Sequence, residues 1–205
     1  FTVCSGLTSI NIPNSITSIG WGVFSGCSSL KSINIPNSIT SIESYTFSDC
    51  TNLKDITIPN SVTQIDDWAF ASCVNLKGII IPNSVNSIGH WAFTCCDALE
   101  SIIVDSENKT YYSSGNCLIE KATNKLIIGC KKSIIPNSVI SIGDFAFESC
   151  RNLLDLIIPD SVTNIGMFAF NGCSSLKSVT IGNSVTSIGY YTFSYCEKLT
   201  SITIP

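Results

Sequence analysis

A cysteine ladder constrains this chain more than anything else in it. Cys4, Cys27, Cys50, Cys73 and Cys96 stand 23 residues apart, and Cys150, Cys173 and Cys196 resume the same step after one interruption. A Phe precedes each of them by three residues and a Leu follows by three. In most repeats the second Ile of an Ile-x-Ile-Pro or related ending follows by eight. An earlier isoleucine keeps the same period at Ile19, Ile42, Ile65, Ile88, Ile142, Ile165 and Ile188. Self-similarity at a period of about 20–50 residues specifies a solenoid, because one such unit cannot bury its own apolar face and must stack on neighbours.

Residues 36–58 (PNSITSIESYTFSDCTNLKDITI) serve as a representative unit. Within it, Leu53-x-x-Ile56-x-Ile58 carries a leucine-rich-repeat pattern. Strand alternation puts Ile56 and Ile58 inward and Asp55 and Thr57 outward. Pro59 cannot extend a central strand, and Asn60-Ser61 favours a turn. The next piece, through Val62, Ile65, Phe70 and Cys73, returns along the convex side with its apolar residues inward. The expected architecture is therefore a curved solenoid. Its concave face is a parallel β-sheet, and its convex face is built of short strands, turns and irregular or short helical segments. The recurrent Asn (Asn14, Asn37, Asn60, Asn83, Asn137, Asn183, with Asp160 substituting) is expected to satisfy backbone groups at the turn. The Gly after the second Ile (Gly20, Gly89, Gly143, Gly166, Gly189) is expected to permit a tight bend.

Composition fits this plan. Apolar residues are 44% and charged residues only 13%, so Ser, Thr and Asn must dress the exterior. A net charge of −4, scattered along the chain, leaves no electrostatic footprint for nucleic acid. No apolar run approaches the roughly 18 residues that span a bilayer, so membrane insertion by this segment is not expected. Ladder cysteines in stacked repeats lie side by side with parallel Cβ vectors, the wrong geometry for disulfides, and they read as buried thiols. A row does not converge on a metal either, so no metal or other cofactor is expected. Cys95, Cys117 and Cys130 lie off the ladder, and a Cys117–Cys130 bridge stays open. Phe1 falls on the repeat's Phe position and Pro205 on its Pro position. The chain thus reads as a single array over residues 1–205, a fragment cut mid-repeat at both ends.

With these residues in place, the pattern IPxSVTxIGxxAFxxCxxLxxIxI resembles the BspA-like leucine-rich repeats of bacterial and protozoan surface proteins, over essentially the whole chain. The resemblance implies a non-enzymatic module for protein binding and adhesion, located at the cell surface or secreted, with a host or matrix protein as partner. It offers no catalytic residue to carry over. The alternative is a rigid scaffold inside a larger assembly, with an intracellular location and neighbouring subunits as partners.

One segment breaks the beat. Val104 and Ile135 end successive strands 31 residues apart, and residues 105–134 lack the Ala-Phe-x-x-Cys element. Residues 116–119 and 125–128 flank a polar turn and read as a β-hairpin insertion. Insertions of this kind can decorate a binding face, which would make Tyr111 and Tyr112 contact residues. Asn108-Lys109-Thr110 is an N-glycosylation sequon, so Asn108 is a candidate glycosylation site.

The outward residue between the last two strand isoleucines reads Asn11, Asn34, Thr57, Ile80, Ile103, Ile134, Ile157, Thr180 and Thr203. Ile80, Ile103, Ile134 and Ile157 would form an apolar stripe on a polar concave face, a pattern that marks interaction sites. Two bland readings compete: β-branched residues suit any sheet face, or the insertion folds over the stripe. Lys31, Lys54, Lys77, Lys131 and Lys177 run beside it, broken by Glu100 and Leu154, and read as a solvated rim. The aromatic row Tyr45, Trp68, Trp91, Phe145, Phe168 and Tyr191 reads as partly packed rather than as a carbohydrate platform. Enzyme chemistry finds no foothold. The single histidine, His90, has no nucleophile at a known spacing, Asp66 and Asp67 are neighbours in a turn, and no phosphate loop or HExxH pair is present.

Overall fold

The structure is a computed structural model that describes residues 1–204. Pro205, which the repeat register assigns to the Pro position, lies outside the described residues. These contain fourteen strands and no helix. In chain order they are β1 (Ser41–Ile42), β2 (Gln64–Ile65), β3 (Gly78–Ile81), β4 (Ser87–Ile88), β5 (Ser101–Val104), β6 (Tyr111–Ser114) and β7 (Cys117–Glu120). Then follow β8 (Lys125–Ile128), β9 (Ser141–Ile142), β10 (Asp155–Ile158), β11 (Asn164–Ile165), β12 (Ser178–Ile181), β13 (Ser187–Ile188) and β14 (Ser201–Thr203).

The chain divides into two compact units. Unit 1 comprises residues 1–99 and 103–109, and unit 2 comprises residues 100–102 and 110–205. Within unit 1, β1, β2 and β4 form a parallel sheet in a register of one repeat, with Ile42 opposite Ile65 and Ile65 opposite Ile88. On the other side of each repeat, single parallel bridges join Asn11 to Asn34 and Asn34 to Thr57. Within unit 2, β10, β12 and β14 form the corresponding parallel sheet, with Ile157 opposite Thr180 and Thr180 opposite Thr203.

Each repeat thus has two strand ladders, a longer one that we term the strand face and a two-residue one on the return side. Of the two options expected for the return side, irregular or short helical, the irregular one holds, with no helical segment among the described residues. Its amides are committed elsewhere: Phe47 N–H donates to Ala69 O at 2.8 Å and Asp49 N–H to Ala71 O at 2.8 Å, one rung along. Two residues per repeat also adopt left-handed φ, as Tyr45 (59°) and Asp49 (59°) do in one rung and Trp68 (61°) and Ser72 (59°) in the next. A helix tolerates neither feature.

The core is what the repeat requires. In residues 59–81, the side chains of Val62, Ile65, Ala69, Phe70, Cys73, Leu76, Ile79 and Ile81 are all buried. Phe rings stack rung on rung, with Phe47 and Phe70 centroids 5.4 Å apart and only 14° between planes. The ladder thiols do more than fill space. Cys50 Sγ–H donates to Phe24 O at 3.2 Å, Cys73 to Phe47 O at 3.2 Å and Cys173 to Phe147 O at 3.2 Å. Each of these carbonyls already accepts the backbone N–H of its own rung's cysteine, so the thiol adds a second, inter-rung bond to its free lone pair.

Two turn expectations are revised. The serine after the recurrent Asn ties rungs together, Ser61 Oγ–H donating to Ile39 O and Ser84 Oγ–H to Val62 O, both at 2.6 Å, while Asn37, Asn60 and Asn83 face solvent. Asp160 does accept a backbone bond, from Asn183 N–H at 2.7 Å. The conserved-register glycines are not left-handed. A Cβ on Gly89 would meet Asp67 N at 2.4 Å, and one on Gly166 would meet Asp144 N at 2.5 Å. At Gly89 and Gly166 glycine answers close approach of the previous rung rather than a bend, whereas Gly20 is uncrowded.

In unit 2 the long repeat inserts a meander. β6 and β7 pair antiparallel, as do β7 and β8, and β8 then pairs parallel with β9, placing Leu126 opposite Ile142. Gly143 N–H donates to Leu126 O at 2.8 Å, just as Gly89 N–H donates to Ile65 O at 2.7 Å in a regular repeat. β8 therefore stands in for the missing return-side rung, and the sheet runs β13-β11-β9-β8-β7-β6.

Candidate functional site

The strand face positions its outward residues by alternation. In β3 and β5 the second and fourth residues are buried and the third is exposed, so Ile79 and Ile81 face the core while Ile80 faces water. Ile80 is 60% and Ile103 50% exposed in unit 1, and Ile134 is 75% and Ile157 71% exposed in unit 2. Ile157 is the third residue of β10. Ile134 lies just outside the named strands, held by its N–H donating to Gly115 O at 2.8 Å. The insertion therefore does not bury these side chains. An isoleucine left this bare forfeits roughly 1–2 kcal/mol of available burial, which an occupant could recover.

In unit 1, a trough of about 400 Å³ opens beside Ile80, lined by Ser32, Ile33, Asp55, Ile56, Thr57, Gly78 and Ile80. It exists because the outward column Ser32, Asp55, Gly78 loses its side chain at Gly78. The glycine signal was visible in the sequence, but the depth of the trough was not.

The insertion residues divide. Tyr111 is 6% exposed and belongs to the core, because it opens β6 with its side chain directed inward; it cannot serve as a surface contact. Tyr112 is half-buried, with its hydroxyl 3.2 Å from Asn124 Oδ1 and 3.0 Å from Ser138 Oγ. The first bond is internal to the meander and the second ties it to the following repeat. Asn108 corrects the sequon reading. It is fully buried, and its Nδ2 donates to Pro82 O and Val85 O, both at 2.8 Å. The nitrogen that would carry a glycan spends both hydrogens closing the Pro82 turn.

All eleven cysteines are free thiols, Cys117 and Cys130 included. Burial pushes Cys50 and Cys117 up to about 12 and raises Cys73 and Cys173 well above the ordinary thiol range, so these groups remain neutral at physiological pH. A neutral, buried thiol is neither nucleophile nor metal ligand. Asp67, beside the lone histidine, accepts from His90 N–H at 2.7 Å through Oδ1, and the His90 ring sits edge-on to Trp91 at 5.6 Å.

The aromatic row is a packing device. Tyr45 stacks on Trp68 at 5.9 Å and Trp68 on Trp91 at 4.8 Å, with planes within 16°. Phe145, Phe168 and Tyr191 repeat the arrangement in unit 2. Between stacked partners the ring faces that a sugar would need are covered, while Tyr191 stays 66% exposed.

The model of the BspA-type leucine-rich-repeat region matches residues 1–117 and 119–205, in six copies. The chain belongs to that family. This BspA-type array is also similar to solved bacterial structures. A leucine-rich cell surface protein from Faecalibacterium prausnitzii A2-165 is 27% identical, with a TM-score of 0.65 over 98% of this chain and 74% of that one. A Treponema pallidum leucine-rich-repeat protein is also 27% identical, with a TM-score of 0.54 over 94% and 78%. The pneumococcal vaccine antigen PcpA, 22% identical, shares the fold with a TM-score of 0.64 over 95% of this chain and 67% of its own. No curated protein sequence is significantly similar to the array. Among the described residues no helix is long and apolar enough to cross a membrane.

Proposed function

We propose that this BspA-type array is a non-enzymatic binding module of a surface protein, an adhesin that engages a protein partner through its strand face. One observation carries the reading. At the outward position where other repeats place Asn11, Asn34, Thr57, Thr180 and Thr203, each unit instead exposes isoleucines, Ile80 and Ile103 in unit 1 and Ile134 and Ile157 in unit 2. The repeat tolerates polar residues there, so folding does not demand isoleucine. Exposed aliphatic groups with polar neighbours suit a protein partner. The surface description of the Faecalibacterium relative supports display outside the cell.

The test is capture of surface-labelled host and matrix proteins by the intact array and by two double variants, Ile80→Asp with Ile103→Asp and Ile134→Asp with Ile157→Asp. Circular dichroism should match the parent in every case, because the side chains are solvent-exposed. Loss of the captured protein in at least one double variant is the expected result. A partner retained equally by both folded variants overturns the reading.

A further inference from the structure

Unit 1 is acidic, with the four lysines Lys31, Lys54, Lys77 and Lys109 against eight carboxylates. Three of those four lysines nevertheless occupy one column. Lys54 N–H donates to Lys31 O at 3.3 Å and Lys77 N–H to Lys54 O at 3.3 Å, so the three stand on successive rungs, about 4.8 Å apart at sheet spacing. Their side chains are exposed, and among the described residues their ammonium groups make no ion pair or hydrogen bond. Lys109, the fourth, pairs with Glu107 at 3.8 Å. Unit 2 treats the same column differently: Glu100 pairs with Lys131 at 3.9 Å and with Lys132, of the adjacent column, at 2.9 Å. Three like charges at sheet spacing repel, and nothing in the fold of unit 1 uses them.

The row has a neighbour. Ser32, Asp55 and Gly78, the residues that follow Lys31, Lys54 and Lys77, line the trough beside Ile80. A basic edge, an aliphatic patch and an unfilled depression therefore lie together on one face of unit 1.

Resting on the protein-binding reading above, we infer that unit 1 binds a short acidic and aliphatic peptide segment of its partner, with carboxylates on Lys31, Lys54 and Lys77 and an apolar side chain in the Gly78 trough against Ile80. Among the described residues Asp55 makes no ion pair or side-chain bond, and it accepts a hydrogen bond from the ligand's backbone N–H. Two features favour a peptide over an anionic polysaccharide. Apart from Asp55 the trough is lined by aliphatic and small residues, with no aromatic face for a sugar ring, and the remaining carboxylates of unit 1 oppose a long polyanion. The spacing fits as well: residues three or four apart on a helical peptide present side chains about 5–6 Å apart, close to the rung interval.

The experiment is fluorescence anisotropy with the full chain and three labelled probes: a Glu/Leu amphipathic peptide, its Lys/Leu counterpart and a heparin-derived oligosaccharide. The Glu/Leu peptide should bind and weaken steeply with salt, since exposed pairs are screened over about 8 Å at physiological ionic strength. Replacing Lys31, Lys54 and Lys77 together by Gln should cost about tenfold or more and flatten the salt dependence. Gly78→Leu, which fills the trough from a position where other repeats carry side chains, should weaken binding without flattening it. Lys109→Gln should change nothing. Binding of the Glu/Leu peptide that survives the triple Gln variant, its absence, or tighter binding of the oligosaccharide through the same lysines would each overturn the inference. If partner capture fails in Ile80→Asp with Ile103→Asp yet persists in the triple Gln variant, the strand-face reading stands and the acidic-peptide inference falls.

Discussion

The regular rungs of unit 1 and the long repeat of unit 2 meet the same demand in different ways. A regular rung fills its interior with Phe, Cys and Leu and adds a thiol bond to the Phe carbonyl of the previous rung. The long repeat has no Ala-Phe-x-x-Cys element, so its meander supplies β8 as the substitute rung and buries Leu118, Ile119 and Leu126. What must be conserved in such an array is a hydrogen-bonded return strand with an inward aliphatic residue. The aromatic ladder is one way of backing it.

The comparison is broken most severely at the ring stack. Phe70 is buried between Phe47 and Phe93, at 5.4 Å and 5.2 Å, so Phe70→Ala should destabilise by about 4 kcal/mol through an unfilled cavity. The matching challenge in the long repeat is Gly129→Ala. A Cβ there would lie 2.0 Å from Phe147 Cε1, and overpacking of that kind costs roughly 1–3 kcal/mol or more. Gly20→Ala is the control, because its nearest atom outside the local chain is 3.9 Å away. Urea denaturation followed by circular dichroism ranks the three. If Gly129→Ala proved as mild as Gly20→Ala, the long repeat would be more plastic than its packing implies.

These contrasts show what the amino-acid order made legible. The 23-residue beat specified the solenoid and all eight inward positions, because burial imposes strict residue types. It also marked Ile80, Ile103, Ile134 and Ile157 as outward, because strand alternation is a local rule. Contacts that cross rungs were harder to read. The thiol-to-carbonyl bonds span 26 residues, and the serine ties span 22. Asn108 shows the same difficulty: its local sequence reads as a sequon, while its burial depends on a turn 23–26 residues earlier. The trough at Gly78 follows from three neighbouring columns at once and becomes visible only when they are stacked.

A smaller effect sharpens the comparison chemically, since each region buries a thiol raised to about 12, Cys50 in the regular ladder and Cys117 in the meander. Unfolded thiols ionise near 8.5, whereas these stay protonated in the native state, so the folded form holds more protons above that pH. Stability should therefore be intact below about pH 8.5 and fall as pH rises toward 12, by up to about 1.4 kcal/mol per pH unit for each such thiol. Denaturation at pH 7, 9 and 10.5 under reducing conditions measures the slope. Cys50→Ala and Cys117→Ala should each make it shallower by a similar amount. A slope indifferent to both would mean that the thiols are hydrated in solution.

The finest test concerns the left-handed column that Asp49, Ser72, Cys95 and Ser149 share with Gly26 and Gly172. Ser72 holds φ of 59° and its N–H donates to Thr94 O at 2.9 Å, so the rung-to-rung bond fixes a conformation that an L side chain resists. Ser72→Gly relieves that resistance at about 1–2 kcal/mol, while the added freedom of the unfolded chain takes back about 0.5–1 kcal/mol. The net expectation is a gain of roughly 0.5 kcal/mol. The corresponding Ser149→Gly in unit 2, at φ of 55° and with its N–H on Asn171 O at 2.7 Å, should gain as much. Equal gains at the two sites would show that the strain belongs to the repeat itself. A loss at Ser149 alone would point to its side chain, whose Oγ lies 3.1 Å from where a Cβ on Gly172 would stand, and would make packing rather than backbone preference the reason serine occupies that place.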